Sequence, residues 1–262
     1  MKNPKSFDIL GSVAIVNFPY DFKNSDKKKF AKELLNRHKS VKTVLEKTGK
    51  IKGILRKFKT KYIAGEKTKE ALYRENNCVF RYNIDSTYFS PRLSNERKEV
   101  ASFIKKGDGV LVMFAGVAPF SIVIAKNSSA RKVYSNEINR EANKYAKLNI
   151  ELNNLKNKVE LLQGNIKIVS EKLKKGKKKF DVIVMPIPQL KDSFLKQAFI
   201  LSKSGTRIYY YDFCRLEDVN SIVDKIEKEA KKNKKRIKIL KVKKAGEIAP
   251  YKIRVRVDFR VL

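Results

Sequence analysis

Apolar and polar residues alternate along this chain in two rhythms, and the change falls near residue 84. Before it, short apolar runs are separated by polar breaks. The run Phe7-Asp8-Ile9-Leu10-Gly11-Ser12-Val13-Ala14-Ile15-Val16-Asn17-Phe18 predicts two short strands around a glycine turn, and residues 26–37 carry helical spacing. Residues 41–45 and 53–56 resume the strand pattern across a Thr48-Gly49 turn, so residues 1–84 are expected to form a small α+β domain. From Asp85 onward strand and helix periods take turns. The spacing predicts helix 95–105, buried strand 110–114, a helix after the small-residue turn at Pro119, strand 132–135 reaching Glu137, and helix 140–153. Strands 159–162 and 182–185, helix 191–201, strand 207–213, helix 216–233 and a closing pair of strands follow. That succession implies an α/β domain over residues 85–262, a mostly parallel sheet with helices on both faces. In the last run Ile253, Val255, Val257 and Phe259 alternate strictly, which puts them on one face of a strand paired antiparallel at or near a sheet edge.

Composition adds a partner. Of 262 residues 42% are hydrophobic, enough for a full core, while 61 Lys and Arg against 27 Asp and Glu leave a formal charge of +34. A field of that sign concentrates polyanions, and nucleic acid is the first to consider; a lysine-rich surface without function is the alternative for part of the excess. The lysine-rich stretches 172–179 and 231–235 read as solvated surface. No apolar run approaches the roughly 20 residues of a membrane helix, and the lysine-containing N-terminus lacks a signal-peptide core, so a soluble, cytoplasmic protein without membrane contact is expected. Cys78 and Cys214 show no CxxC spacing and His38 is the single histidine, which argues against both a disulfide framework and a metal site.

Candidate chemistry gathers where Tyr88-Phe89-Ser90-Pro91-Arg92-Leu93-Ser94-Asn95-Glu96-Arg97 precedes the apolar run Val110-Leu111-Val112-Met113-Phe114-Ala115-Gly116-Val117-Ala118-Pro119-Phe120. In an open α/β sheet, ligands bind beyond the carboxyl ends of the strands, so the turns after Phe114, Ser135, Leu162 and Met185 should converge on one pocket. Ala115-Gly116-Val117-Ala118 lets backbone approach a ligand closely, although small residues in such a turn also serve packing. Glu137 ends its strand where a carboxylate can accept from both hydroxyls of a ribose; a solvated turn carboxylate is the plainer alternative.

These residues resemble the archaeal and eukaryotic tRNA guanine-37 N1-methyltransferases, class I enzymes that use S-adenosyl-L-methionine. The likeness runs from Phe7 nearly to Leu262. It is carried by Ser6-Phe7-Asp8-Ile9-Leu10-Gly11, Lys42-Thr43-Val44-Leu45, Tyr88-Phe89-Ser90-Pro91-Arg92-Leu93 with Glu96-Arg97, Met113-Phe114-Ala115-Gly116-Val117 with Pro119-Phe120-Ser121, and Ala249-Pro250-Tyr251 with Val257-Asp258-Phe259. The resemblance implies a Rossmann-like methyltransferase sheet preceded by the small α+β domain. It implies methyl transfer to N1 of guanosine-37 in the anticodon stem-loop of tRNA by a monomer, and in some archaeal relatives C7 methylation of the imidazopurine on the way to wyosine. The resemblance begins at the family's second domain, so the N-terminal tRNA-elbow domain is not expected among these residues.

Roles follow from the same resemblance. Glu96 matches the general base that takes the proton from guanine N1, Arg56 matches the group that steadies charge on O6, and Arg92 belongs to the catalytic motif. Tyr88, Arg97, Phe114, Gly116, Val117, Glu137, Ile138, Asn165, Ile166 and Pro188 match cofactor-binding positions. Read without the resemblance, Glu96 is an exposed helix residue paired with Arg92 or Lys98, and Arg56 a solvated strand residue. The chain departs from the family at Val112 for an acidic residue, Ala118 for glycine, Asn165 for aspartate and Pro186 for the asparagine of an Asn-Leu-Pro turn. Two other functions compete: transfer of the aminocarboxypropyl group of the same cofactor, as in a sister family, and a non-catalytic RNA-binding module whose cofactor pocket has decayed.

Overall fold

The structure, a computed structural model, describes residues 4, 6–49, 59–186 and 192–262. Strands β1 (Phe7–Leu10) and β2 (Val13–Val16) form a hairpin; α1 (Asn24–Arg37) leads to β3 (Thr43–Lys47), parallel to β2, and β4 (Thr60–Gly65) returns antiparallel to β3. The helix docks because Phe30, Ala31, Leu34 and Leu35 share one face, which packs on Ala14, Val16 and Val44. The expected strand at 53–56 falls outside the described residues.

A second hairpin follows, β5 (Glu70–Glu75) with β6 (Cys78–Asn83). Next come α2 (Ser94–Ser102), β7 (Gly109–Val112), α3 (Pro119–Asn127), β8 (Lys132–Glu137), α4 (Arg140–Leu152), β9 (Val159–Gln163), α5 (Ile166–Lys175) and β10 (Phe180–Met185). The chain ends with α6 (Leu195–Leu201), β11 (Ser202–Arg215), α7 (Val219–Lys232), β12 (Ile237–Ala249) and β13 (Lys252–Val261). Seven strands build one sheet in the order β12-β13-β11-β10-β7-β8-β9; β9, β8, β7, β10 and β11 are mutually parallel, and β13 is antiparallel to both its neighbours. Strand order reverses between β7 and β10, so the ligand crevice of this sheet lies beyond their carboxyl ends.

The β5–β6 hairpin bridges the two sheets. Gly11 turns β1 into β2 at φ 61°, and a Cβ there would sit 1.9 Å from the Leu72 carbonyl oxygen of β5, so only glycine fits. On its other side the hairpin is stitched to α4. Asn149 Oδ1 accepts from Arg81 N at 2.7 Å while its Nδ2 donates to Arg81 O at 3.1 Å, and Asn153 treats Val79 in the same way at 2.9 and 2.7 Å. Two side-chain amides thus supply the hydrogen bonds that a third strand would have made.

Strands β4, β5 and β6 are absent from the sequence reading, and two further elements differ from it. Helix α5 was hidden in a stretch read as charged surface; Asn165 caps it by accepting from Lys167 N at 3.0 Å, and Ile166, Val169 and Leu173 face the core at helical spacing. Strand β13 does bury Ile253, Val255, Val257 and Phe259, but its alternate face is buried as well, with Arg254, Arg256 and Asp258 in the interior. The partners that make this tolerable lie in α2.

Candidate active site

The turn after β7 is wound tightly. Met113 N still donates to Val184 O at 2.9 Å, but Phe114 at φ 57° ends the strand, and Gly116 (φ 58°) and Ala118 (φ 67°) are left-handed as well. Two of these, Phe114 and Ala118, carry a side chain that makes the left-handed backbone costly, and such strain persists only where surrounding contacts impose it. Ala115 N donates to Asn136 O at 2.8 Å, Asn149 Nδ2 donates to Val117 O at 3.2 Å, and Gly116 N donates to the Glu137 carboxylate at 2.8 Å. The family's glycine position is therefore a left-handed one here, occupied by the fully buried Ala118.

Glu137 is the hub of this cradle. Its second oxygen accepts from Asn139 N at 2.7 Å, and its own carbonyl receives Gly164 N and Asn143 Nδ2, both at 2.9 Å. Burial pushes the Glu137 carboxyl above the usual carboxylate range, opposed by the hydrogen bonds from the Asn139 and Gly116 amides. Asn136 Nδ2 donates to Leu162 O at 2.7 Å and Gly164 O at 3.0 Å, which draws the β9 turn against the β8 end. Beside Glu137, Ile138 is 44% exposed, an apolar side chain held at the rim. Asn165 is exposed, whereas the Ile166 side chain is buried in the core, so what Ile166 presents is its first-turn backbone N–H.

The 86–97 segment closes the cradle from above. Asn139 Nδ2 donates to Ser86 O at 2.9 Å, and a Cβ on Gly116 would meet Tyr88 O at 3.4 Å, so Tyr88 does lie at the turn. Arg97, expected at the cofactor, is engaged by partners within the protein. It is fully buried, donates through Nε and Nη2 to the two carboxylate oxygens of Glu75, donates to Ser90 O at 3.0 Å, and stacks on Phe89 and Phe120. Arg97 therefore anchors the loop that carries Tyr88 to β5. Val117 is likewise a core residue, and Phe114 packs edge-on against Phe194.

Glu96 departs furthest from its plain reading. It pairs with neither Arg92 nor Lys98; it is buried, and Arg256 Nη1 reaches its Oε2 at 2.7 Å, Lys243 Nζ its Oε1 at 2.9 Å, and Tyr211 OH its Oε2 at 3.1 Å. Arg256 also spans both oxygens of Asp258 at 2.7 and 3.0 Å and contacts Glu99 at 3.1 and 3.2 Å. Arg92, on the short turn before α2, is 72% exposed and 3.9 Å from Asp8 of β1. Arg56 and Pro188 lie outside the described residues. Val112 is a wholly buried strand residue between Ser135 and Val184, so no acidic group replaces the family's carboxylate there. Sequence reasoning missed Asn139, Tyr211, Lys243 and Arg256; the one available signal was the charged, strictly alternating second face of β13. Among the described residues no group of three His, Cys, Asp or Glu side chains converges as a metal site, and no helix is long and apolar enough to cross a membrane.

Comparison with known proteins places this geometry. Residues 71–240 match the TRM5/TYW2 methyltransferase domain and residues 1–68 the TYW2 N-terminal domain. The chain is 35% identical over 259 residues to tRNA (guanine(37)-N(1))-methyltransferase Trm5b of Pyrococcus abyssi, covering 98% of itself and 75% of that protein. It is 33% identical to the tRNA (guanine(37)-N(1))/4-demethylwyosine(37)-methyltransferase Taw22 of Nanoarchaeum equitans, covering 98% and 100%. The crystal structure of the Pyrococcus abyssi enzyme superposes with a TM-score of 0.84 at 34% identity, over 98% of this chain and 75% of that one. An archaeal Trm5 in complex with tRNALeu also gives 0.84, at 27% identity over 98% and 72%. The chain belongs to the TRM5/TYW2 methyltransferase family.

Proposed function

We propose that this protein transfers the methyl group of S-adenosyl-L-methionine to N1 of guanosine-37 in tRNA. The observation that carries the reading is the half-buried Glu137 carboxylate at the mouth of the switch-point crevice, oriented by the Gly116 and Asn139 amides. Its remaining lone pairs suit the two hydroxyls of a ribose, Ile138 offers an apolar face to a purine, and Asn165 with the Ile166 N–H offers polar groups to the purine edge. When bound, the cofactor supplies an electrophilic methyl carbon on a positively charged sulfur that departs as a neutral thioether.

The chain's own residues handle the guanine. Its N1 carries a proton that must leave as the N–C bond forms, and Glu96 is the carboxylate we assign to accept it. Both Glu96 oxygens are engaged, so acceptance requires one partner to let go. Arg256 is fixed by Asp258 and Glu99, whereas Lys243, on the edge strand β12 and 32% exposed, is the partner able to swing away. Arg56 is assigned to the charge that builds on O6, a role suited to a planar fork of donors. Arg92, exposed at the junction of the two units, is assigned to the RNA.

A second reading, methylation of the imidazopurine precursor of wyosine, is favoured by two observations. The Nanoarchaeum equitans relative whose name states both activities matches over its whole length, and Pro186 follows β10 where the family carries asparagine, which removes an amide from the rim that faces the base. Incubating tRNA bearing guanosine-37, and tRNA bearing 4-demethylwyosine at that position, with the protein and cofactor, then identifying the nucleosides by mass spectrometry, tests both. N1-methylguanosine is expected from the first substrate; an unmodified first substrate rejects the principal reading.

A further inference from the structure

The end of the sheet opposite the cradle carries a charge pattern that the methyl-transfer reading does not use. Residues 172–179 and 231–238 together hold twelve lysines and arginines and no carboxylate. The first run is the last turn of α5 and its exit into β10, the second the last turn of α7 and its exit into β12. Since Phe180 pairs with Ser202, Arg207 with Arg260, and Lys238 with Arg260, both runs lie at the amino ends of the parallel strands, along one rim of the sheet. Lys179 links them: its ammonium is driven down by burial and by the charges of Lys235 and Lys174, one from each run.

Ordinary explanations cover only part of this. Cations in the last turn of a helix are favoured by its dipole, which accounts for Lys172, Lys174, Lys175, Lys231 and Lys232 but not for Lys177, Lys234 and Arg236 beyond the helix ends. A merely lysine-rich surface balances its lysines with acids, as elsewhere on this molecule, where Lys144 sits 2.7 Å from Glu141, Lys156 3.2 Å from Glu151, and Lys203 2.5 Å from Asp181. In the two runs only Lys174 and Lys232 have a carboxylate within 4 Å among the described residues, at Glu171 and Glu229. Lys178 instead donates to Tyr134 OH and Lys179 to Ile200 O, both at 2.6 Å. Like charges crowded without counterions raise the free energy of the folded chain, and a dense polyanion is the partner that reverses the sign.

We infer that this basic rim is a second RNA-binding surface, which holds the phosphate backbone of the substrate tRNA outside the anticodon loop while the opposite end of the sheet works on the base. Six residues of β10 separate the two ends, about 20 Å at the usual rise per residue, so one nucleotide cannot serve both and the contact belongs to a separate stretch of backbone. The inference builds on the tRNA reading, but its test does not depend on methyl transfer.

Five substitutions, Lys172→Gln, Lys175→Gln, Lys177→Gln, Lys234→Gln and Lys235→Gln, remove charge from side chains that hold no structural hydrogen bond, and circular dichroism with a melting curve checks the fold. The affinity for full-length tRNA is then measured from 50 to 300 mM KCl, beside a free anticodon stem-loop and a control protein with Lys144→Gln, Lys147→Gln and Lys156→Gln. The expected result is at least tenfold weaker tRNA binding near 0.1 M salt and a slope of log K against log salt reduced by about two to four, since each neutralised phosphate contributes roughly 0.7–0.9. Affinity for the stem-loop and the single-turnover rate at saturating tRNA should stay at the parent values. Equal tRNA affinity and slope in variant and parent, or an equal loss in the control protein, would each overturn the proposal.

Discussion

Arg256 Nη1 lies 2.7 Å from Glu96 Oε2, although 160 residues separate them in the chain. One residue comes from the first turn of α2 and the other from the interior face of β13, and the contact joins the proposed catalytic segment to the closing strands of the sheet. Around them Glu96, Glu99 and Asp258 are balanced by Arg256, Lys243 and Lys241. Removing one partner from a buried set of this kind leaves charge uncompensated, typically at a cost of about 3–5 kcal/mol. Arg256→Met should therefore destabilise the protein by that amount in denaturant unfolding; a change below 1 kcal/mol would show that the cluster is not structurally important.

Glu96→Gln behaves differently. The amide keeps the shape but not the charge, so stability should fall too, by less than for Arg256→Met because Arg256 retains Asp258 and Glu99, while single-turnover methyl transfer falls by about 10²–10⁴. Cofactor affinity should remain within a few fold. A parent-like rate with a large drop in melting temperature would assign Glu96 to scaffolding alone.

Acid should loosen the same cluster. Burial works against the Glu99 carboxylate, yet hydrogen bonds from Arg256 and Lys243 outweigh it and hold Glu99 down at about 2. Its pKa is thus lower folded than unfolded, so its stabilisation is complete above the unfolded value of about 4.3 and is lost as pH falls toward 2. Equilibrium unfolding from pH 6 to pH 2 should show a steeper loss for the parent than for Glu99→Gln. Parallel curves would contradict this assignment.

Glu137 gives the opposite sign. Burial raises it, so on acidification it gains its proton above the ordinary carboxylate range and ceases to accept at both oxygens. Calorimetric titration should show cofactor affinity falling as the pH is lowered in the parent and nearly flat in Glu137→Gln. Glu137→Ala should weaken binding at pH 7.5 by about 1.5–3 kcal/mol, the worth of a charge-assisted hydrogen bond.

Ala118 tests the strained turn. Glycine there relieves a left-handed backbone at φ 67° but gives up a buried methyl group and adds chain entropy, three terms of about 1 kcal/mol each. Ala118→Gly should stay within about 1 kcal/mol of the parent, whereas Ala118→Val, β-branched and fully enclosed, should lose more than 2 kcal/mol. Equal melting temperatures for the two variants would show that the turn relaxes.

The order of strands and helices from Asn95 to Val261 was largely legible because each core-facing stripe repeats at a helical or a strand period, and the cradle was legible at Gly116 and Glu137 because topology fixes where strand ends converge. Helix α5 was not, since Lys172, Lys174 and Lys175 obscure the spacing of Ile166, Val169 and Leu173. Nor were the buried ion pairs. A charged residue in an alternating strand reads as solvent-facing until the element that covers it is known, and Arg256 is covered by α2 from the far side of the chain.

The most direct measurement is a single-turnover reaction of the protein with S-adenosyl-L-methionine and a tRNA transcript carrying guanosine-37, read by nucleoside mass spectrometry and by primer extension at that position. The account expects N1-methylguanosine at position 37, none when the position is adenosine, and a rate that collapses in Glu96→Gln while cofactor binding persists. Tight binding of both cofactor and tRNA with no methylated nucleoside, or with the methyl group at another position, would contradict it.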